Sequence, residues 1–274
     1  MSLLWAVGLL AQAEAGVSVF ADKNLEAAVR ESMFAKRGTT QPLTAEDVKT
    51  LSEITAKGKG IRDLRGLEHC AALASLDLSG NEIADLAPIA GLANLQALFL
   101  AKNRISGLKP LAKLTGLQYL DLSDNQVADL EPLRGLTRLN TLCLSNNRVA
   151  DIGALSGMAR LWSLYLAGNS LTVLAPLREL KWLSTLSLSG NQISDLSPLD
   201  GLSELRFLFL ENNKIADLAP LVEMARKDLE KEKRFAPYWK IYLAGNPLNP
   251  TSRAQARELS SAGGHVALGD AAGS

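Results

Sequence analysis

Read for its apolar positions, the chain repeats itself. Asn81, Asn103, Asn125, Asn147, Asn169, Asn191 and Asn213 stand 22 residues apart. Leucine or a close relative sits eight, five and three positions before each asparagine and two after it. Around Asn147 these are Leu139, Leu142, Leu144 and Val149, and Ile152, Leu155 and Met158 follow at short steps. An incomplete copy runs through Leu51, Ile54, Ile61, Leu64 and Leu67, with Lys59 in the asparagine's place. A last copy ends on Ile241, Leu243, Asn246 and Leu248, making about nine coils.

One such coil cannot bury its own leucines, whereas stacked coils share a continuous core. The alternating positions ahead of each asparagine are those of a strand with one face buried. Stacked strands pair in parallel about 4.8 Å apart, so nine coils predict a sheet roughly 40 Å long. The return segments are bulkier than strands, so the sheet lies on the inner side of the curve. The predicted fold is therefore α/β: a leucine-rich-repeat horseshoe solenoid. It has a parallel β-sheet on the concave face, short helical or 3-10 return segments, and a helical N-terminal cap.

Two polar columns serve this frame. The asparagine amide offers two donors and an acceptor, suited to backbone groups at the bend, where aspartate would stack buried charge. Asp63, Asp85, Asp129, Asp151, Asp195 and Asp217 mostly precede a Leu-x-Pro turn. They are expected to cap its free N–H groups. A calcium ladder is the alternative, but calcium wants several carboxylates at one point, and each coil supplies one.

The ends depart from the period. Residues 1–15, MSLLWAVGLLAQAEA, have a short apolar run and an Ala-x-Ala ending. They read as an export signal, with the chain cytoplasmic if they are retained. Residues 16–50 are assigned to the helical cap. Leu25, Val29 and Met33 share one helical face there, and Thr44 with Asp47 approaches a capping box. The repeats occupy 51–249, with an insert near 225–237. That insert is expected to extend one return segment into a convex-side helix, with Leu221, Met224, Ala225 and Leu229 inward and its charges in solvent. Residues 250–274 are assigned to a C-terminal cap and a flexible tail.

The pattern LxLxxNxIxDLxPLxxL at a 22-residue period resembles the internalin-type leucine-rich-repeat proteins of bacteria. The segments DKNLEAAV, PLTAEDVKTL and GIRDLRGLE resemble that family's helical cap. The likeness spans about residues 17–250. It implies an exported protein whose concave face binds a protein partner, often a host-cell receptor. A lesser resemblance is to the 22-residue-repeat regulatory subunits of protein phosphatase 1, which implies a cytosolic regulatory scaffold.

Charge and chemistry narrow this little. Lys plus Arg equals Asp plus Glu at 29 each, so neither nucleic acid nor an anionic membrane is an expected partner. The apolar run in the first fifteen residues is too short to span a membrane and no later stretch reaches about 18 apolar residues, so no stable membrane insertion is expected. The only histidines, His69 and His265, form no cluster with metal-ligand spacing, and no metal or cofactor is expected. Asp77 and Asp121 stand two coils apart, roughly 10 Å, beyond the usual separation of a glycosidase pair. Catalysis is not expected; a glycan-binding surface at Asp77, Phe99, Tyr119 and Asp121 remains an alternative to a protein partner. Cys70 and Cys143 lie more than three coils apart, roughly 15 Å, too far for a disulfide. Unpaired thiols weigh against a strongly oxidising compartment.

What the frame leaves free are the outward strand positions, six, four and two before each asparagine. Six of the 14 aromatics occupy them: Phe99, Tyr119, Tyr165, Phe207, Phe209 and Tyr242. Trp162 and Trp239 sit one position earlier, on the flank. Exposed aromatic patches mark binding sites, and hot spots favour Tyr and Trp. These eight residues are the candidate partner-binding set of a non-enzymatic, monomeric interaction module. The other outward residues are small and weakly charged, which favours a partner held by shape and aromatic contact over electrostatic steering.

Overall fold

The computed structural model describes residues 17–231, 238–261 and 263–269. The export-signal segment and part of the insert lie outside these residues. Ten strands form one parallel sheet in strict chain order. They are β1 (Glu53–Thr55), β2 (Ser75–Asp77), β3 (Ala97–Phe99), β4 (Tyr119–Asp121), β5 (Thr141–Cys143), β6 (Ser163–Tyr165), β7 (Thr185–Ser187), β8 (Phe207–Phe209), β9 (Lys240–Tyr242) and β10 (His265–Ala267). Each is three residues long, and in β1 to β9 the middle residue is a core leucine or isoleucine, whereas β10 carries half-buried Val266. Leu76, Leu98, Leu120, Leu142, Leu164, Leu186, Leu208 and Ile241 stand in register and are fully buried. Each such burial contributes about 1.5–3 kcal/mol. The leucine-rich-repeat solenoid expected from the period is the observed fold.

The asparagines join the coils. Asn125 Nδ2 donates to its own coil's Leu122 carbonyl at 3.0 Å and to the preceding coil's Leu100 carbonyl at 2.9 Å. Its Oδ1 accepts from the preceding coil's Ile105 N–H at 2.9 Å. The same three bonds recur at Asn81, Asn103, Asn147, Asn169, Asn191, Asn213 and Asn246. Every amide oxygen thus satisfies a backbone N–H that would otherwise lack a partner, while interior carbonyls such as those of Leu100 and Leu122 accept from two successive amides.

The residue just before each asparagine turns left-handed. Gly80, Gly168, Gly190 and Gly245 do so without a side-chain penalty, while Lys102, Asp124, Asn146 and Asn212 adopt φ of 53–57°. This kink lets the N–H at that position reach the next coil's backbone, as Lys102 N reaches the Ser123 carbonyl at 2.8 Å. The period's own pattern did not single it out.

The aspartates bond one step earlier than an ordinary N-cap. Oδ1 of Asp63, Asp85, Asp129, Asp151, Asp195 and Asp217 accepts from the N–H two residues on, at 2.7–2.9 Å. In five of the six coils that N–H opens the helical turn, so the side chain steers the chain into the return segment.

At the N-terminal end, α1 (Lys23–Glu31) buries Leu25 and Val29, and half-buried Met33 follows. The short α2 (Ala45–Val48) carries the Thr44–Asp47 capping box. Gly66 has φ 108°, and a Cβ there would sit 2.5 Å from the Phe20 ring, so only glycine lets the N-terminal segment close on the first coil. Asp22 fastens the two together. One oxygen caps α1 through the N–H groups of Asn24 and Leu25, and the other accepts from Arg62 and Asp63. Burial alone would raise its pKa, but these four donors outweigh it and hold the carboxyl below its ordinary range.

At the other end, α3 (Ala219–Glu230) replaces a 3-10 turn with its inner face on Leu221, Met224 and Ala225, and Leu229 half-buried. Then α4 (Pro250–Ser261) leads into β10. Residues 265–267 extend the sheet by one strand along β9, a strand not expected from the sequence, and the end expected to be flexible, GDAAGS, lies outside the described residues apart from Gly269. The stack's last face is too apolar to be left in water.

Because the carboxyl of Asp22 has a depressed pKa, its stabilisation is present above the unfolded-state value and is lost as pH falls through the folded one. Asp22→Ala is expected to cost about 1–2 kcal/mol at pH 7. Thermal melts should show that gap closing below about pH 4.

Candidate functional site

The outward strand positions form the sheet face, and the structure sorts the candidates on it into two groups. In the first, the Phe99 and Tyr119 rings meet across β3 and β4 at 4.7 Å, inclined by 35°. The Tyr119 hydroxyl reaches the Cys143 sulfur at 3.9 Å. Burial, then the neighbouring thiol, push the phenol above its ordinary range. In the second group, Phe209 stacks on Tyr242 at 4.8 Å and 4°. Tyr242 meets the edge of His265 at 6.1 Å, and Lys240 Nζ lies 5.4 Å over Phe207. Tyr165 lies between the groups, half-buried on β6.

The flank behaves unevenly. Trp162 is 48% exposed, but Trp239, in the same column of the repeat, is 1% exposed. Trp239 is therefore withdrawn from the partner-contacting set. Its backbone carbonyl accepts from His265 N–H as β10 docks, and its side chain joins the core that closes the stack. Two exposed aromatics that the outward-position rule missed lie on the same flank: Trp182 at 58% and Tyr238 at 65%. Tyr238 fills a slot that holds leucine in the other coils. An aromatic in a leucine column was the available signal.

The carboxylates on the face have backbone duties. Asp77 Oδ1 accepts from Ser79 N–H and Asp121 Oδ1 from Ser123 N–H, both at 2.9 Å. Each therefore holds its strand's exit and presents one further oxygen to the face. Among the described residues no group of three or more His, Cys, Asp or Glu is placed to hold a metal ion. No helix among them is long and apolar enough to cross a membrane.

Both cysteines are free and buried. Burial, aided by Glu68, pushes the Cys70 thiol up to about 12. Burial and then Asp121 push Cys143 up to about 11. Neither is poised as a nucleophile.

The leucine-rich-repeat family model, two copies per match, fits residues 93–135, 160–201 and 181–223. Internalin C2 of Listeria monocytogenes is 32% identical, with a TM-score of 0.72 over 75% of this chain and 91% of that one. A leucine-rich-repeat protein of Leptospira interrogans is 23% identical (TM-score 0.65, 82% of this chain and 62% of that one) and shares the fold. So does the functional domain of InlJ from Listeria monocytogenes, described as including a cysteine ladder, at 20% identity (TM-score 0.63, 86% and 53%). No curated protein sequence matches the chain.

The raised pKa of Cys143 lowers its thiolate population at pH 8 by about a hundredfold relative to an ordinary thiol. Titration with a thiol-specific disulfide reagent should find almost no fast-reacting cysteine in the native protein and both after denaturation. Rapid labelling of either in the native state would show that its burial is not maintained.

Proposed function

The chain belongs to the internalin-type bacterial leucine-rich-repeat proteins, and on that premise we propose that it is a non-enzymatic, monomeric module that binds a protein partner across its sheet face. The contacts we assign are Phe99, Tyr119, Tyr165, Phe207, Phe209 and Tyr242, flanked by Trp162. One observation carries the reading. Aromatics are 5% of the chain, yet they recur at outward positions that the solenoid does not need for stability, and they pair across strands there. A rigid parallel sheet presents such rings already oriented, which lowers the entropy lost on binding.

The proposal includes export, with residues 1–15 removed. Buried, unreactive thiols suit an oxidising compartment as well as a reducing one, which removes the objection raised by two unpaired cysteines.

The Phe207→Ala, Phe209→Ala double variant should lose capture of the native partner by at least roughly tenfold, since hot-spot aromatics contribute about 2 kcal/mol or more. Its urea-unfolding free energy should fall by no more than about 1 kcal/mol. Undiminished capture, or a much larger loss of stability, would reassign the two rings to a structural role.

A further inference from the structure

At the C-terminal end of the sheet, beside β8, β9 and β10, lies a hollow of about 420 Å³. Arg206, Lys240 and His265 line it together with Phe207 and Tyr238, and among the described residues no carboxylate does. Among the described residues none of the three basic side chains forms an ion pair. In a chain whose charges balance overall, this is a local excess of cation held against aromatic walls. It is continuous with the sheet face, because His265 meets Tyr242 and Tyr242 stacks on Phe209.

The charge reverses along the face. Glu211 lies two residues past β8, where it accepts from the Ser189 hydroxyl, and Asp121 and Asp77 lie on β4 and β2. A uniform polyanion laid along the sheet would meet these carboxylates. A peptide chain can change its sign within a few residues and does not have that difficulty.

We infer that the hollow takes an acidic segment of the protein partner, one carrying an aromatic or aliphatic side chain beside its carboxylates. The carboxylates meet Arg206 and Lys240, where guanidinium favours two-point contact, and the apolar side chain packs on Phe207 and Tyr238. This rests on the reading of the sheet face as a partner surface and adds the partner's chemistry and direction to it. Charge complementarity of this kind sets orientation and association rate, contrary to the expectation of an electrostatically indifferent face. Arg206 stands in the flank column of Trp162 and Trp239, His265 lies beyond the repeats, and the two become neighbours only when β10 pairs with β9.

The test uses the full chain and a labelled, capped peptide alternating glutamate with phenylalanine, read by fluorescence anisotropy. A glutamine-for-glutamate version and heparin serve as comparators. The acidic peptide should bind roughly tenfold or more tightly than its glutamine version. Arg206→Glu with Lys240→Glu, both exposed, should abolish the difference while the far-ultraviolet spectrum stays unchanged. Equal affinity for both peptides, no binding of either, or tighter binding of heparin would overturn the inference. So would a native partner that the Phe207→Ala, Phe209→Ala variant loses and the charge-reversed variant keeps, which would leave the partner-surface reading standing.

Discussion

A buried asparagine amide joins each coil to the one before it, and the rest of the architecture is arranged around that side chain. Its donors reach the leucine carbonyl three residues back in its own coil and the matching carbonyl one coil earlier. Its oxygen takes an N–H that the earlier coil has just brought out of its bend. These partners are peptide groups at fixed offsets, so the period is held tightly wherever the chain runs between them. Between Asn213 and Asn246 the chain is longer, yet Asn246 still bonds Leu210 and Ile215. The extra residues enter after Ile215, in the return segment, where no amide has to reach. This is why α3 can replace a 3-10 turn without disturbing the sheet.

The leucines supply the driving force and the asparagines supply the registration. Apolar burial is non-directional and would tolerate slippage of one coil against its neighbour. The three-point amide bond does not, and neither does the left-handed residue before it. With frame and register both set by inward or bend positions, the outward positions of each strand, Asp77 and Asp121 aside, are released from structural work. A binding surface can therefore vary from coil to coil on an invariant scaffold, which is how aromatics come to gather at particular coils.

The interior of the repeat was legible because translation along the stack makes each column mean the same thing in every coil. Leu142 and Asn147 could be placed by counting, and so could Asp151. The ends are where that equivalence fails. Trp239 shares a column with Trp162, but the closing strand β10 covers one and no further coil-end structure covers the other. The tail after α4 has little apolar alternation, and its strand forms because β9 offers an unpaired edge. Arg206 and His265 are far apart in sequence and belong to no shared motif, so their convergence is a product of the closure itself. The left-handed position before each asparagine was in principle readable from its glycine, asparagine and aspartate content, and Lys102 is the residue that obscures it.

The most direct test of the amide ladder is urea unfolding of Asn125→Ala, a change that removes no apolar contact of any size. It leaves the Ile105 N–H without a partner and takes one of two amide donors from each of the Leu100 and Leu122 carbonyls, which keep Asn103 and Asn147. The account predicts a loss of about 1–3 kcal/mol, the cost of leaving the buried Ile105 N–H unsatisfied. A variant within about 0.5 kcal/mol of the parent would contradict it and leave the leucine core as the sole source of coil registration.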